Sequence, residues 1–183
     1  MPYQIRRINP TEAAGLRAIR LRALLSDPSA FGSSYERESG LSPEEWIRRA
    51  NEGSTGGEQS IFVADGPEGF VAMAGAYTPG DLISVRRLYG MWVAPESRSA
   101  GLGQQLIEAI TTWSISARAA QLQLWVVDDN LGARQLYARA GFRTTRISQP
   151  LPSNPALTET LLELSLEAPT SVHGAAPERD DQG

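Results

Sequence analysis

The sequence predicts an α/β domain, a mixed sheet with helices on both faces, and three observations carry that prediction. Short β-prone runs alternate with longer stretches whose apolar residues recur every three to four positions, in the order strand, two helices, three strands, helix, strand, helix, two strands. A mixed sheet covered on both sides is the economical packing of that order. At 183 residues the chain is long enough for one domain with a full core and short for two, and it has no internal repeat. Finally, the apolar run over residues 82–93 stops at Pro95 and passes through an arginine and two closely spaced glycines into an amphipathic stretch, the pattern of strand, tight loop and helix.

In chain order, residues 3–8, YQIRRI, form a short first strand. Asn9, Pro10 and Glu12 supply an N-cap, a first-turn proline and an acidic third position, so a helix is expected there. Leu16, Ile19, Ala23 and Leu24 share one face of it, and Ser26, Asp27 and Pro28 end it. Residues 28–40, PSAFGSSYERESG, have no clear period and read as a loop with one helical turn. Ser42, Pro43 and Glu45 make a capping box for a second helix that buries Trp46, Ile47 and Ala50. After a flexible connection, residues 60–65 and 68–77 form a hairpin across Gly66 and Pro67, and residues 82–93 are the third strand in succession.

From Leu102 onward, Leu106, Ile110, Trp113 and Ala117 mark a helix that packs on the sheet. Residues 121–127 are a strand, and Asp128, Asp129 and Asn130 offer caps for a helix whose Ala133, Leu136, Tyr137 and Ala140 share a face and which ends at Gly141. Residues 142–147 are strand-like, 148–155 a loop, and 158–167 alternate leucine with polar residues as a half-buried strand does. The domain therefore spans 1–168, and 169–183, without apolar pattern, reads as a disordered tail.

Composition narrows the function. A net charge of -4 removes the electrostatic basis for non-specific nucleic-acid binding. With no cysteine and a single histidine, His173 in the tail, thiolate or histidine metal sites and cysteine or histidine catalysis are not expected, and no metal is predicted. No apolar run has the length of a membrane span and the N-terminus lacks a signal-peptide core, so no membrane partner and a cytoplasmic location are expected.

The loop RSAGLG, Arg98 to Gly103, leaves the first amides of the following helix unpaired and aimed at one place, where the positive end of the helix dipole also lies. An anion, most naturally a phosphate, belongs there. A P-loop would need lysine and then serine or threonine after the last glycine, where Gln104 and Gln105 stand; a dinucleotide fingerprint would need glycine or alanine at the place of Leu106.

Two stretches together carry a resemblance. Val93, Pro95, Arg98, Gly101 and Gly103 match the pattern VxPxxRxxGxG, and after the next strand Asn130, Ala133, Leu136, Tyr137, Gly141 and Phe142 match NxxAxxLYxxxGF. The chain resembles the GCN5-related N-acetyltransferases (GNATs) over roughly residues 3–167, in the order of elements as well as in motif. The resemblance implies the GNAT fold, with about seven strands in a partly splayed sheet, and acetyl-CoA as cosubstrate. It implies transfer to a primary amine in a ternary complex, the alternative being an inactive acyl-CoA sensor or scaffold. The amides of Ser99, Ala100, Gly101, Leu102, Gly103 and Gln104, beside Arg98, would hold the pyrophosphate. Unpaired backbone of Met91, Trp92 and Val93 would take the pantetheine arm, Asn130 would bind the cofactor where two strands part, and Tyr137 would protonate the leaving thiolate.

The acceptor side is less defined. Many relatives carry a glutamate where this chain has Trp125, so no general base transfers by resemblance. Glu36, Glu38, Asp128 and Asp129 are nearby acids, better read as solvated loop charge and helix caps. Phe31, Tyr35, Glu36 and Trp46 stand in the region that shapes the acceptor pocket, Trp46 also fitting a core role, and Arg86 and Arg87 read as a solvated strand face, the alternative being contact with an acceptor carboxylate. An acidic substrate region favours a cationic small-molecule or peptide amine, such as a polyamine, an amino sugar, a lysine or an N-terminus. Dimers are common in the family, which makes a homodimer an open expectation.

Overall fold

The computed structural model describes residues 3–166, so the expected tail at 169–183 lies outside the described residues. The elements are β1 (Ile5–Arg7), α1 (Ala13–Ser26), α2 (Tyr35–Ser39), α3 (Pro43–Ser54), β2 (Gln59–Gly66), β3 (Gly69–Tyr77), β4 (Val85–Val93), α4 (Leu102–Ser116), β5 (Gln121–Val127), α5 (Leu131–Arg139), β6 (Arg143–Leu151) and β7 (Asn154–Ser165). One sheet has the order β1-β2-β3-β4-β5-β7-β6. Every neighbouring pair is antiparallel except β4 and β5.

Period-two alternation divides the sheet into two buried faces. Ala72, Ala74 and Ala76 of β3, all at most 1 % exposed, form a flat strip of small side chains that lets α4 lie close, with Leu106 and Ile110 against the sheet. On the other face Ile61 and Met73 meet Leu16 of α1 and Trp46 of α3. Gly53 of α3 sits against Ile61: a Cβ there would come within 2.7 Å of that side chain, so the glycine sets how near α3 approaches β2. The expected capping of α3 is present, with Ser42 Oγ accepting from the Glu45 N–H at 3.3 Å.

Several expectations are corrected. Helix α1 begins at Ala13, because Glu12 reaches back to the Asn9 N–H (2.8 Å) and pairs with Arg6 (2.7 Å), holding residues 9–12 in a turn ahead of the helix. Ile47 is 49 % exposed: only its neighbours Trp46 and Ala50 fall on the core side of α3. The helical turn expected within 28–40 is α2, capped by Ser34 Oγ on the Arg37 N–H. Leu82 and Ile83 lie in an exposed turn ahead of β4. Residues 148–155 are not a loop but the tip of a β6–β7 hairpin, with Pro150 paired opposite Thr158. Proline is tolerated because β6 is the sheet edge, where a missing N–H breaks no outer ladder bond.

Candidate active site

The site is built where the sheet stops being continuous. Parallel pairing of β4 with β5 runs from Val85↔Gln121 to Leu88↔Leu124 and ends there, although β4 continues to Val93 and β5 to Val127. The β3–β4 register shifts at the same level, between the Gly75↔Tyr89 and Met73↔Trp92 pairs, and Gly90 within that bulge has φ +62°. Past Leu88, then, the edge of β4 that faced β5 has no strand partner. Part of it is taken up locally: Arg98 Nε donates to the Val93 carbonyl at 3.0 Å.

Beyond β4 the chain turns through residues 95–101 into α4. Ser99 (φ +70°) and Gly101 (φ +76°) both take left-handed conformations, the second as the helix N-cap. Among the described residues, the backbone N–H groups of residues 99–104 have no hydrogen-bond acceptor; Gln105 N–H is the first to close a helical bond, onto Gly101 O at 3.1 Å. Six amides are thus left for a ligand at the positive end of a fifteen-residue helix. Arg98 turns its guanidinium back onto Asp27 (2.8 Å) as well as Val93, and Asp27 also accepts from Trp92 Nε1 (2.7 Å). Burial raises the Asp27 carboxyl, but the hydrogen bonds from Trp92, Ser26 and Arg98 outweigh it and hold the group below its usual range. Asp27 therefore ties the end of α1 to β4 and to the amide loop.

Met91 lies between that loop and α5. A Cβ on Gly103 would stand 2.9 Å from Leu136 Cδ2 and 3.3 Å from Met91 Cε, and the Tyr137 hydroxyl donates to Met91 Sδ at 3.6 Å. Tyr137 is buried, its ring edge-on to Phe142 at 5.7 Å, and burial pushes its phenol well above the ordinary tyrosine value. Asn130 caps α5, its Oδ1 accepting from the Ala133 N–H at 3.1 Å, while its NH2 has no acceptor among the described residues. The amide loop, Met91 and Tyr137 thus stand together beside the part of β4 that β5 no longer pairs, Asn130 follows the end of β5, and Trp92 turns its indole away onto Asp27.

The family model described as "Acetyltransferase (GNAT) family" matches residues 21–142, two-thirds of the chain and all of this site. The chain belongs to the GNAT family. Solved structures agree on its fold. A GNAT acetyltransferase from Streptococcus pneumoniae superposes with TM-score 0.73 at 21 % identity, over 89 % of this chain and 98 % of that one. The yncA protein of Salmonella typhimurium, whose structure holds acetyl-CoA, gives 0.71 at 16 % identity over 97 % and 99 %. The ribosomal-protein-S18-alanine N-acetyltransferase of Escherichia coli gives 0.66 at 17 % over 93 % and 97 %. No curated protein matches the sequence. The seven-stranded GNAT fold expected from sequence is thus present, and membership makes the protein an acetyltransferase.

On the opposite side of β4 from α4 this GNAT domain has a cavity of about 360 Å³ between α1–α3 and strands β2–β4. Four arginines, Arg20, Arg37, Arg48 and Arg49, line it against the two carboxylates of Glu38 and Glu52, which is not the acidic region expected. Of the residues singled out for the acceptor side, Phe31 is buried under the Arg20 guanidinium (4.8 Å), Tyr35 packs on the core and Glu36 is exposed. None of these three lines the cavity, whereas Trp46, named with them, does, and so do Ser33, Arg37 and Glu38. Glu38 is not solvated charge. It is 3 % exposed and accepts from Arg20 Nε and Nη2 (2.7 Å to the latter) and from Arg49 Nη1 (3.1 Å). Burial pushes its carboxyl up, but Arg20 and then Arg49 outweigh this, so it stays a fixed anion.

Arg86 is likewise corrected: it is 3 % exposed, donates to the carbonyls of Ile83, Val85 and Ala117, and stacks on Trp113. Arg87 pairs with Gln123 across the β4–β5 ladder. Asp128 caps no helix; it accepts from Thr160 (2.6 Å) and Arg134 (3.1 Å), bracing α5 on β7. Among the described residues no helix is long and apolar enough to cross a membrane.

Proposed function

We propose that the protein transfers the acetyl group of acetyl-CoA directly to a primary amine bound at the same time, with Tyr137 as general acid. The observation that carries this is the parting of β4 from β5 beside six acceptor-free amides at the head of α4, with the Tyr137 hydroxyl at the opening. A diphosphate suits those amides and the helix dipole. An extended arm with amide groups suits the open edge at Met91 and Trp92, and the Asn130 NH2 is available to it. Arg98 serves here by fixing the loop against Val93 and Asp27.

Acetyl-CoA, when bound, supplies an acyl group already activated as a thioester. The chain's own contribution is position and one proton. Burial keeps Tyr137 protonated at neutral pH. A thiolate leaving into the same dry surroundings has its own pKa raised, which keeps donor and acceptor matched. Glu38 is held ionised by two arginines and Asp128 is committed to Thr160 and Arg134, so neither is a free base. The amine loses its proton through water or arrives neutral.

Calorimetry with acetyl-CoA, joined to free-thiol release with a panel of amines, tests the reading. Saturable binding and turnover are expected; absence of binding at millimolar acetyl-CoA, or binding without turnover of any amine, refutes it. Tyr137→Phe should lower kcat by about 10²- to 10⁴-fold and leave acetyl-CoA affinity nearly unchanged. Equal loss of both would refute the acid role.

A further inference from the structure

The arginine-lined cavity opens on the same stretch of β4 that parts from β5. Its floor is Gly75, Tyr89 and Gly90, and Gly90 immediately precedes Met91, which touches Tyr137. With no side chain at Gly90, a small molecule in the cavity can bring an amine up to the backbone of β4 at that level.

The charges of the cavity are unevenly used. Glu38 serves Arg20 and Arg49, and Arg48 pairs with Glu45 and Glu52. Arg37 has no carboxylate within ion-pair distance among the described residues. Arg20 keeps a second unspent donor: its Nη1 is shielded from solvent, has no hydrogen-bond partner, and lies 3.5 Å from where a Cβ on Gly90 would be. The Tyr89 hydroxyl accepts from Gln59 Nε2 at 3.2 Å, so its own proton remains to be given. Four guanidiniums over two lining carboxylates leave net positive charge, and with the surplus donors this calls for an anionic group and disfavours a polyamine.

Resting on the acetyl-transfer reading above, we propose that the acceptor is a carboxylate-bearing amine of amino-acid size. Arg37 and Arg20 receive its carboxylate, and its amine lies over Gly90 and Met91. Arg37 is the residue to vary, because it is exposed on the five-residue helix α2 and its guanidinium supports no other part of the fold, whereas removing Arg20 would strand buried Glu38.

The test compares free amino acids with their carboxamides, with spermidine and with a peptide amine, by thiol release from acetyl-CoA on the whole protein. The acids are expected to exceed their amides by at least about tenfold in kcat/KM. Arg37→Gln should cost the acids about 10- to 100-fold while leaving the amides unchanged, and Arg37→Lys should restore part of the loss. Amides, spermidine or peptide used as well as the acids, or a ratio that Arg37→Gln does not move, overturns the carboxylate inference while acetyl transfer stands. Failure to bind acetyl-CoA, or no turnover with any acceptor, overturns both.

Discussion

Glu38 offers a sharp test of how the early helices are held. Its side chain is 4 % exposed and faces the 14 % exposed side chain of Arg20 and the 31 % exposed side chain of Arg49. Glu38→Ala leaves a guanidinium with one unpartnered nitrogen already, buried and without its counter-ion. Removing one partner of a buried pair costs about 3–5 kcal/mol, a large part of the roughly 5–15 kcal/mol that stabilises a domain. Glu38→Gln keeps the volume and one acceptor and should cost about 2 kcal/mol. Replacing the pair with apolar residues, Arg20→Met with Glu38→Leu, should recover most of the loss, since the desolvation of both charges disappears with them. Urea unfolding at pH 7 on the four proteins reads these differences as midpoint shifts at constant slope. A Glu38→Ala cost below about 1 kcal/mol, or a double variant no more stable than the single, would refute the buried-pair account.

Two further outcomes follow from the amide loop and from the carboxylates. Gly101→Ala, at φ +76°, should destabilise by about 1–2 kcal/mol and weaken acetyl-CoA binding in calorimetry. Gly103→Ala should do less, because the Leu136 methyl it meets at 2.9 Å is the end of a half-exposed side chain; equal effects would show that left-handed geometry is not what the loop requires. Hydrogen bonds from Arg6 push the Glu12 carboxyl down to about 2, those from Arg48 and Arg49 push Glu45 to about 2, and Glu38 and Asp27 are also lowered. Carboxyls depressed in the folded state stabilise above their unfolded pKa and lose that contribution as pH falls through the folded value. The urea midpoint should therefore be flat from pH 7 to about 5 and fall between about 4.5 and 2; a rise on acidification would refute the assignment.

Much of this site was legible because its signals are local. A proline, an arginine and two glycines between a strand and an amphipathic stretch determine a backbone turn within ten residues, and Asn130 and Tyr137 sit at fixed offsets on one helix. The acceptor side depends on distant partners instead. Nothing in PSAFGSSYERESG shows that Glu38 is buried, because the arginines that make burial tolerable stand 18 residues before and 11 after it. Arg86 reads as solvent-facing in a strand of mixed character, and only the carbonyls around it and the face of Trp113 make an interior place for it. The hairpin tip at 148–155 was hidden by proline, whose penalty vanishes on an edge strand.

The short β4–β5 ladder makes the sheet a wedge. Two antiparallel halves, β1–β4 and β5–β7, are fastened over four residue pairs at one end and stand apart at the other. Open strand edges are usually a hazard, since a neighbouring chain can add to them. Here the edges face each other inside one molecule, across a mouth flanked by α4 and α5. The same geometry that leaves backbone bonding capacity unspent also keeps it within the fold, away from the outer rim of the sheet at β1 and β6 where a neighbouring chain would add.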